Sequence, residues 1–244
     1  VSSQLDMDRL DYLNRDSFFT GVSEGVVSSD RIIKMLNVKD GNLVVEAKGI
    51  YSVESFLIAR RLMYWQVYLH KTSLVADLML KNTILRAKEL ALNQDMSNGI
   101  STNLAFFLHE NLEIISFINN LDKFVTLDDY DIFQALKYWM EHEDKILSTL
   151  STAIINRKLF KIEYADEILV NTKFNALKNK YNEEEMRFLV LKGTAKNNAY
   201  NPDKDNIFIK FKDGSIKEIT EISEQWNIRS LSNPVVKHYI AYPK

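Results

Sequence analysis

The stretch SVESFLIARRLMYWQVYLHKTSLVADLMLKNTILRAKELALN, residues 52–93, decides the fold class because it contains neither glycine nor proline. Its apolar residues recur at helical spacing, which predicts one or two long helices with a break near His70-Lys71-Thr72. That spacing is kept by Phe56, Ala59, Leu62, Met63, Val67, Leu74, Leu78, Ile84 and Leu85. The 244-residue chain has only 7 Gly and 3 Pro, so we expect a mainly α protein.

The composition excludes several classes of protein. Hydrophobic residues make up 46% of the chain, which is enough for a buried core and excludes wholesale disorder. The 31 basic and 33 acidic residues nearly cancel, so we expect no extended nucleic-acid surface. Cysteine is absent, which excludes disulfides and thiolate metal sites. We find no leader and no apolar run of membrane-spanning length, and therefore expect no membrane partner and a cytoplasmic location.

The character of the sequence changes near residue 158. Residues 1–158 are predicted to be nearly all helical, apart from a short strand at 43–47 after a turn at 39–42. Residues 159–244 are predicted to form a smaller α+β C-terminal part with a hairpin turn at Asp213-Gly214. Its expected strands are 160–164, 187–191, 207–211, 215–219 and 235–242. Aromatic residues at helical spacing are predicted to be core: Phe106, Phe107, Phe117, Phe124, Tyr130, Phe133, Tyr138 and Trp139.

Residues 5–16, LDMDRLDYLNRD, place four carboxylates and two guanidinium groups within twelve residues. Asp8, Tyr12 and Asp16 repeat at i, i+4 and i+8, so they share one face of a predicted helix over 5–18. The buried stripe of this helix is expected to contain Leu10, Leu13, Ser17 and Phe18. Spacing alone is equally typical of a charged surface helix held by pairs of opposite charge, and that alternative stays open.

Four segments, in this order, carry a family resemblance. Residues 6–16 fit D-x-D-[RK]-x-D-Y-x-x-R-D, residues 60–71 fit R-x7-Y-x-H-K, and residues 157–161 fit R-x-L-[FY]-K. Residues 234–243 are similar to the C-termini of bacterial members. Together they resemble HD-domain phosphohydrolases, specifically the deoxynucleoside triphosphate triphosphohydrolase branch, over nearly the whole chain. The resemblance implies a helical HD-type core portion over 1–158, followed by the α+β subdomain.

The resemblance also implies a role for each matching residue. Asp8 would be the last ligand of a divalent Mg, Mn, Fe or Zn ion that activates water against phosphorus. The substrate-binding residues it implies are Arg9, Tyr12, Asp16, Arg60 and Tyr68. Guanidinium and phenol groups suit phosphate oxygens, whereas Asp16 and Tyr68 are expected at the sugar. The implied activity is hydrolysis of deoxynucleoside triphosphates to deoxynucleoside and triphosphate.

The family's other metal ligands, a His and a His-Asp pair, lie upstream of the last aspartate, but only seven residues precede Asp8 here. The four histidines are followed by Lys, Glu, Glu and Tyr, so none begins a His-Asp pair. We therefore expect the catalytic groups and the remaining ligands to lie in an N-terminal segment of the same protein. A fragment carrying that segment is an expected partner, and the metal site is expected to be incomplete in this chain.

Regulation and assembly follow from the same resemblance. His70, Lys71, Arg157 and Lys161 match positions near a regulatory nucleotide between subunits of a symmetric oligomer. We therefore expect a nucleotide substrate, a regulatory nucleotide and a homo-oligomer. Two alternatives remain: an HD phosphohydrolase acting on another nucleotide, or a non-catalytic helical interaction module whose acidic first helix is only surface. Walker, Rossmann and nucleophile-elbow motifs do not occur.

Overall fold

A computed structural model describes residues 5–111, 113–197, 200–201, 206–222 and 234–244. The fold is mainly α with small sheets, as the sequence predicts. Two compact units form, one from Val1–His70 with Ala195–Lys237 and the other from Lys71–Thr194 with His238–Lys244. None of the described helices combines the length and the apolar composition that crossing a bilayer needs.

The helices of the described residues are α1 (Met7–Thr20), α2 (Ser29–Met35), α3 (Ile50–Met63), α4 (Lys71–Ala91), α5 (Thr102–His109), α6 (Ile114–Ile118), α7 (Leu121–Phe124), α8 (Asp129–Trp139), α9 (Lys145–Ile155), α10 (Glu167–Leu177), α11 (Glu183–Leu189) and α12 (Ile219–Ile222). Short 3-10 turns lie at Ser23–Gly25 and Ala47–Gly49. A π-helical turn, Tyr64–Tyr68, follows α3. The predicted break near residue 70 is therefore confirmed.

The strands form two small sheets. They are β1 (Leu36–Lys39), β2 (Asn42–Glu46), β3 (Lys161–Ala165), β4 (Leu191–Asn197), β5 (Phe208–Lys210), β6 (Ile216–Glu218) and β7 (Val235–Tyr242). One sheet has the order β1-β2-β5-β6 and the other the order β3-β7-β4. In the first sheet β2 runs parallel to β5, with Val45 opposite Ile209. In the second, β3 runs antiparallel to β7, with Glu163 opposite Ile240.

The first unit is built around α1 and α3. Leu10 and Leu13 of α1 pack with Phe56 and Met63 in one buried cluster, because both helices turn an apolar stripe inward. Gly25 makes the close approach of the first 3-10 turn possible. A Cβ at this position would lie 2.5 Å from Met63 Sδ, so a larger residue would push the turn away from α3.

The second unit has its own core, in which α4 packs against α9 and α9 against α8. Trp139, Leu147 and Leu150 are among its fully buried side chains. The predicted division after residue 158 falls inside this unit. Phe160, just beyond that point, packs in the same cluster as Met79 of α4, so β3 shares a core with the helices.

Several local predictions were wrong. Helix α11 replaces the strand expected at 187–191, because Asn182 and Glu185 form a capping box that starts a helix. Strand β1 is an addition to the half predicted to be nearly all helical, since it pairs with β2 across the turn at Asp40-Gly41. Phe18, expected in the buried stripe of α1, is 80% exposed because the buried stripe of this helix ends at Ser17.

The aromatic set between residues 106 and 139 is also largely not core. Trp139 is buried, but Tyr130 is 83% exposed and Phe133 is 50% exposed. Apolar residues identify the buried face of a helix only when the opposite face is polar. In α8 aromatic residues occur all around the helix, and the buried side is that of Ala135, Leu136 and Trp139.

A buried arginine links three elements of the second unit. Arg86 of α4 donates to both carboxylate oxygens of Asp144, at 3.1 and 2.6 Å, and to Glu184 Oε1 at 2.6 Å. Burial disfavours the Asp144 carboxylate, but the hydrogen bonds from Arg86 and from the Leu147 amide outweigh it and lower the Asp144 pKa. Asp144 also caps α9, so the pair fixes the start of that helix.

Replacing Arg86 with alanine should lower the free energy of unfolding by about 3 kcal/mol, because the Asp144 carboxylate would stay largely buried without its cation. The matched control is Arg15→Ala. Arg15 pairs with Asp11 at 2.6 Å, but both side chains are more than half exposed, so about 0.5 kcal/mol or less is expected. Urea denaturation measures both losses, and equal losses would contradict this role for Arg86.

Candidate functional site

Helix α1 carries the predicted site residues on its solvent side. Asp6 caps the helix, since its Oδ1 accepts from the Arg9 amide at 2.8 Å. The Asp6 carboxylate also lies 3.5 Å from Arg9 Nε, which holds that guanidinium near the helix start. Asp8 stands in the first turn, where a negative charge is favoured by the helix dipole. Tyr12 and Asp16 follow on the same face, each partly buried.

The second segment of the site lies at the end of α3 and in the π-helical turn. The turn is closed by the Leu69 amide, which donates to the Tyr64 carbonyl at 2.6 Å. Arg60 is only 9% exposed, and its guanidinium lies over the Tyr64 ring with 5.8 Å to the ring centroid. Helical π turns are rare and occur often at functional sites. Arg60, Tyr64 and Tyr68 therefore come from one irregular end of a long helix.

Tyr68 joins the two segments. Its hydroxyl donates to Asp16 Oδ2 at 2.6 Å, and its ring meets the Tyr12 ring edge to face at 5.8 Å between centroids. Tyr64 packs edge to face on Tyr68 at 5.2 Å. Four of the five predicted substrate residues thus lie in one set of contacts. The fifth, Arg9, is connected to Tyr12 electrostatically.

Tyr64 is the member of this site that the sequence prediction missed. It lies four residues after Arg60 and four before Tyr68, both of which were predicted. Residues four apart on a helix are neighbours, so that spacing was the available signal. Tyr64 contacts both of them through its ring and thereby holds them relative to each other.

The phenols of Tyr12 and Tyr68 remain protonated at neutral pH. Burial, then the hydrogen bond to Asp16 and the charge of that carboxylate, raise the pKa of Tyr68. Burial and the neighbouring Tyr64 raise the pKa of Tyr12, against a lowering by Arg60 and Arg9. Both side chains therefore act as hydrogen-bond donors. One carboxylate oxygen of Asp16 accepts the hydrogen bond from Tyr68, which leaves the other oxygen to accept from a further donor.

Asp8 differs from Asp16 in its surroundings. Its side chain is exposed and makes no hydrogen bond or ion pair with the residues that the structure describes. A free carboxylate of this kind fits one ligand of a divalent ion. Over the described ranges no three His, Asp or Glu side chains converge to hold a metal, so these residues do not form a complete site.

The four residues predicted near a regulatory nucleotide are exposed. In the second unit, the Lys71 ammonium lies 5.6 Å from the centroid of the Tyr164 ring in β3. Lys161, also in β3, pairs with Glu163 at 2.7 Å instead. Arg157 has a positive φ of 54° at the end of α9, a conformation that costs energy for a residue with a Cβ. His70 ends the first unit. The regulatory role and the oligomer stay predictions.

Known proteins resemble this chain. Residues 27–99 match the family described as HD associated region. The crystal structure of a phosphohydrolase from Bacteroides thetaiotaomicron is 49% identical over the whole chain, with a TM-score of 0.87, and the chain covers 62% of it. An uncharacterized protein of Bacillus subtilis, YwfO, is 35% identical over 66% of the chain and 36% of its own length. A Dictyostelium discoideum protein named deoxynucleoside triphosphate triphosphohydrolase SAMHD1 homolog is 24% identical over 70% of the chain and 28% of its own length.

The chain is similar to HD-domain phosphohydrolases. The chain spans well under two thirds of the length of these two relatives, so each comparison concerns only a part of the relative. The matched HD associated region contains α3 and the π turn, and hence Arg60, Tyr64 and Tyr68. Helix α1, with Asp8 and Asp16, precedes it along the sequence.

The Tyr68–Asp16 hydrogen bond can be tested by stability. Tyr68→Phe should lower the free energy of unfolding by about 1 kcal/mol, because the half-buried Asp16 carboxylate loses its donor. Tyr51→Phe is the matched control, since Tyr51 lies on α3 and is 67% exposed.

The pH dependence gives this prediction a second readout. The pKa of Tyr68 is raised in the folded state, so its contribution is complete below the unfolded value of 10.0 and is lost as pH rises above it. The difference between wild type and Tyr68→Phe should therefore stay constant up to about pH 9 and shrink above about pH 10. A difference that does not change across this range would contradict the assignment.

Proposed function

We propose that this chain forms part of a metal-dependent phosphohydrolase that converts deoxynucleoside triphosphates to deoxynucleoside and triphosphate. The observation that carries the proposal is the Tyr68–Asp16 hydrogen bond, which joins the two segments expected to bind substrate. The similarity to a phosphohydrolase at 49% identity supports the reaction class. The Dictyostelium protein, at 24% identity, supports the choice of deoxynucleoside triphosphate.

The proposed roles of these residues in substrate binding follow from their charge and protonation. Arg9 and Arg60 neutralise phosphate oxygens, and the protonated Tyr12 donates a hydrogen bond to them. The free oxygen of Asp16 accepts from a sugar hydroxyl, while the Tyr68 ring packs against the sugar. Tyr64 keeps Arg60 and Tyr68 in place through its ring contacts. All these groups belong to the first unit.

Asp8 supplies one carboxylate to the proposed metal site, and His and His-Asp ligands from outside this chain complete it. When bound, a divalent ion would orient or activate water against the phosphorus atom. Asp8 is suited to this position because its carboxylate is exposed and engaged by no described neighbour. Its charge also lies beside Arg9 and Tyr12, so metal and phosphate contacts start from the same helix end.

Asp8→Asn should abolish turnover in the full-length protein with little effect on its melting temperature, because it removes a ligand charge from an exposed position. Asp11→Asn, three residues along the same helix, is the control and should stay active. Residues 1–244 alone should bind Mn²⁺ weakly or not at all by calorimetry, since one carboxylate cannot offset dehydration of the ion. An active Asp8→Asn enzyme, or micromolar Mn²⁺ binding by residues 1–244, would refute the metal role.

Arg60→Ala should reduce kcat/KM for the preferred triphosphate by on the order of 10²-fold, about 3 kcal/mol, because a cation at the phosphates is lost. Arg61→Ala is the neighbouring control, and circular dichroism of both variants separates lost contacts from lost structure. The assay should follow phosphate, pyrophosphate and triphosphate separately over a nucleotide panel with Mg²⁺ and Mn²⁺. Release of phosphate or pyrophosphate instead of triphosphate would favour another nucleotide substrate, and full efficiency of Arg60→Ala would exclude the phosphate role.

A further inference from the structure

A cavity lies in the second unit, between α10 and α11. Its volume is about 510 Å³, within the range of ligand-binding pockets. Phe174, Tyr181 and Met186 line it with apolar surface. These side chains continue the buried cluster that contains Val170 and Ile240, so the floor of the cavity is a fixed part of the core.

Lysines surround the aromatic rings of this cavity. The Lys192 ammonium lies 4.2 Å from the Phe174 ring centroid, and the Lys178 ammonium lies 5.7 Å from the same centroid. Lys180 stands 5.1 Å from the Tyr181 ring centroid. Cations over aromatic faces are held in place without being neutralised, so their charge remains available to an anion. The cavity therefore has flat apolar walls and positive charge at its edge.

Most acidic side chains near the cavity already have a hydrogen-bond or ion-pair partner. Glu184 accepts from Arg86 at 2.6 Å, and Glu185 closes the capping box of α11. Arg187 pairs with Glu89. Among the described residues, Lys178 and Lys192 make no ion pair, although Lys192 donates to Asn171 at 3.2 Å. Glu183 is then the one lining carboxylate that opposes these two lysines, and positive charge is in excess.

We propose that this cavity binds a planar aromatic anion, with the ring against Phe174 and Tyr181 and the anionic group between Lys178 and Lys192. A flat ring matches the aromatic walls, and the two ammonium groups lie 5.7 and 4.2 Å from the Phe174 ring centroid, so both contribute positive charge where an anion bound beside that ring would lie. A nucleobase with its phosphate and an aromatic carboxylate share this chemistry. The site is separate from α1 and the π turn, so it does not depend on the proposed hydrolysis.

Calorimetry on residues 1–244 with matched probes tests the proposal. 2-Naphthoate should bind, whereas 2-naphthol, with the same rings and no charge, and cyclohexanecarboxylate, with charge and no aromatic ring, should each bind at least about fivefold more weakly. The double variant Lys178→Gln with Lys192→Gln should weaken 2-naphthoate about tenfold and leave 2-naphthol unchanged. Phe174→Leu keeps an apolar wall but should weaken both aromatic probes about threefold. Adenosine monophosphate, titrated in parallel, distinguishes a nucleotide source from a carboxylate source.

Lys137→Gln, an exposed lysine on α8, is the control for general charge and should leave 2-naphthoate affinity unchanged. Thermal denaturation of each variant shows whether the cavity walls remain folded. Both substituted lysines are exposed, so their replacement need not affect folding. The proposal is overturned if the double variant and the wild type bind 2-naphthoate equally. It is also overturned if 2-naphthol or cyclohexanecarboxylate binds as tightly as 2-naphthoate.

Discussion

The hydrogen bond from Tyr68 to Asp16 is the contact on which the candidate site depends, because it joins groups 52 residues apart in the chain. Its geometry follows from the packing of α1 on α3, where Leu10 and Leu13 share a buried cluster with Phe56. Close-packed side chains leave little freedom for sliding, so the core fixes which polar groups meet at its edge. The site is therefore a consequence of apolar packing beneath it.

Two aspartates on one face of α1 have different surroundings. Asp16 accepts a hydrogen bond from the phenol of Tyr68, and the Tyr68 ring contacts the rings of Tyr12 and Tyr64. Asp8, two turns earlier, is exposed and has no partner in the described part of the chain. The Asp16 carboxylate therefore has a fixed orientation, whereas the Asp8 carboxylate keeps both oxygens available to a cation.

The two units use buried arginine differently. In the second unit Arg86 is bound by Asp144 and Glu184, and its charge is compensated within the structure. In the first unit Arg60 packs over the Tyr64 ring, and the lysines at the α10–α11 cavity likewise stand over aromatic rings. An aromatic face attracts a cation without neutralising it, whereas a carboxylate compensates its charge.

The sequence by itself determined those features that depend on neighbours in the chain. It predicted the break near residue 70, the turn at Asp213-Gly214 and strand β7, because helical periodicity, turn residues and strand alternation are local signals. Only the tertiary structure decided which faces are buried. Phe18 and Tyr130 fit a core pattern yet are exposed, and Asp16 meets Tyr68 because α1 packs beside α3. Burial and contact need a second surface, and that surface comes from residues distant in sequence, which no local pattern specifies.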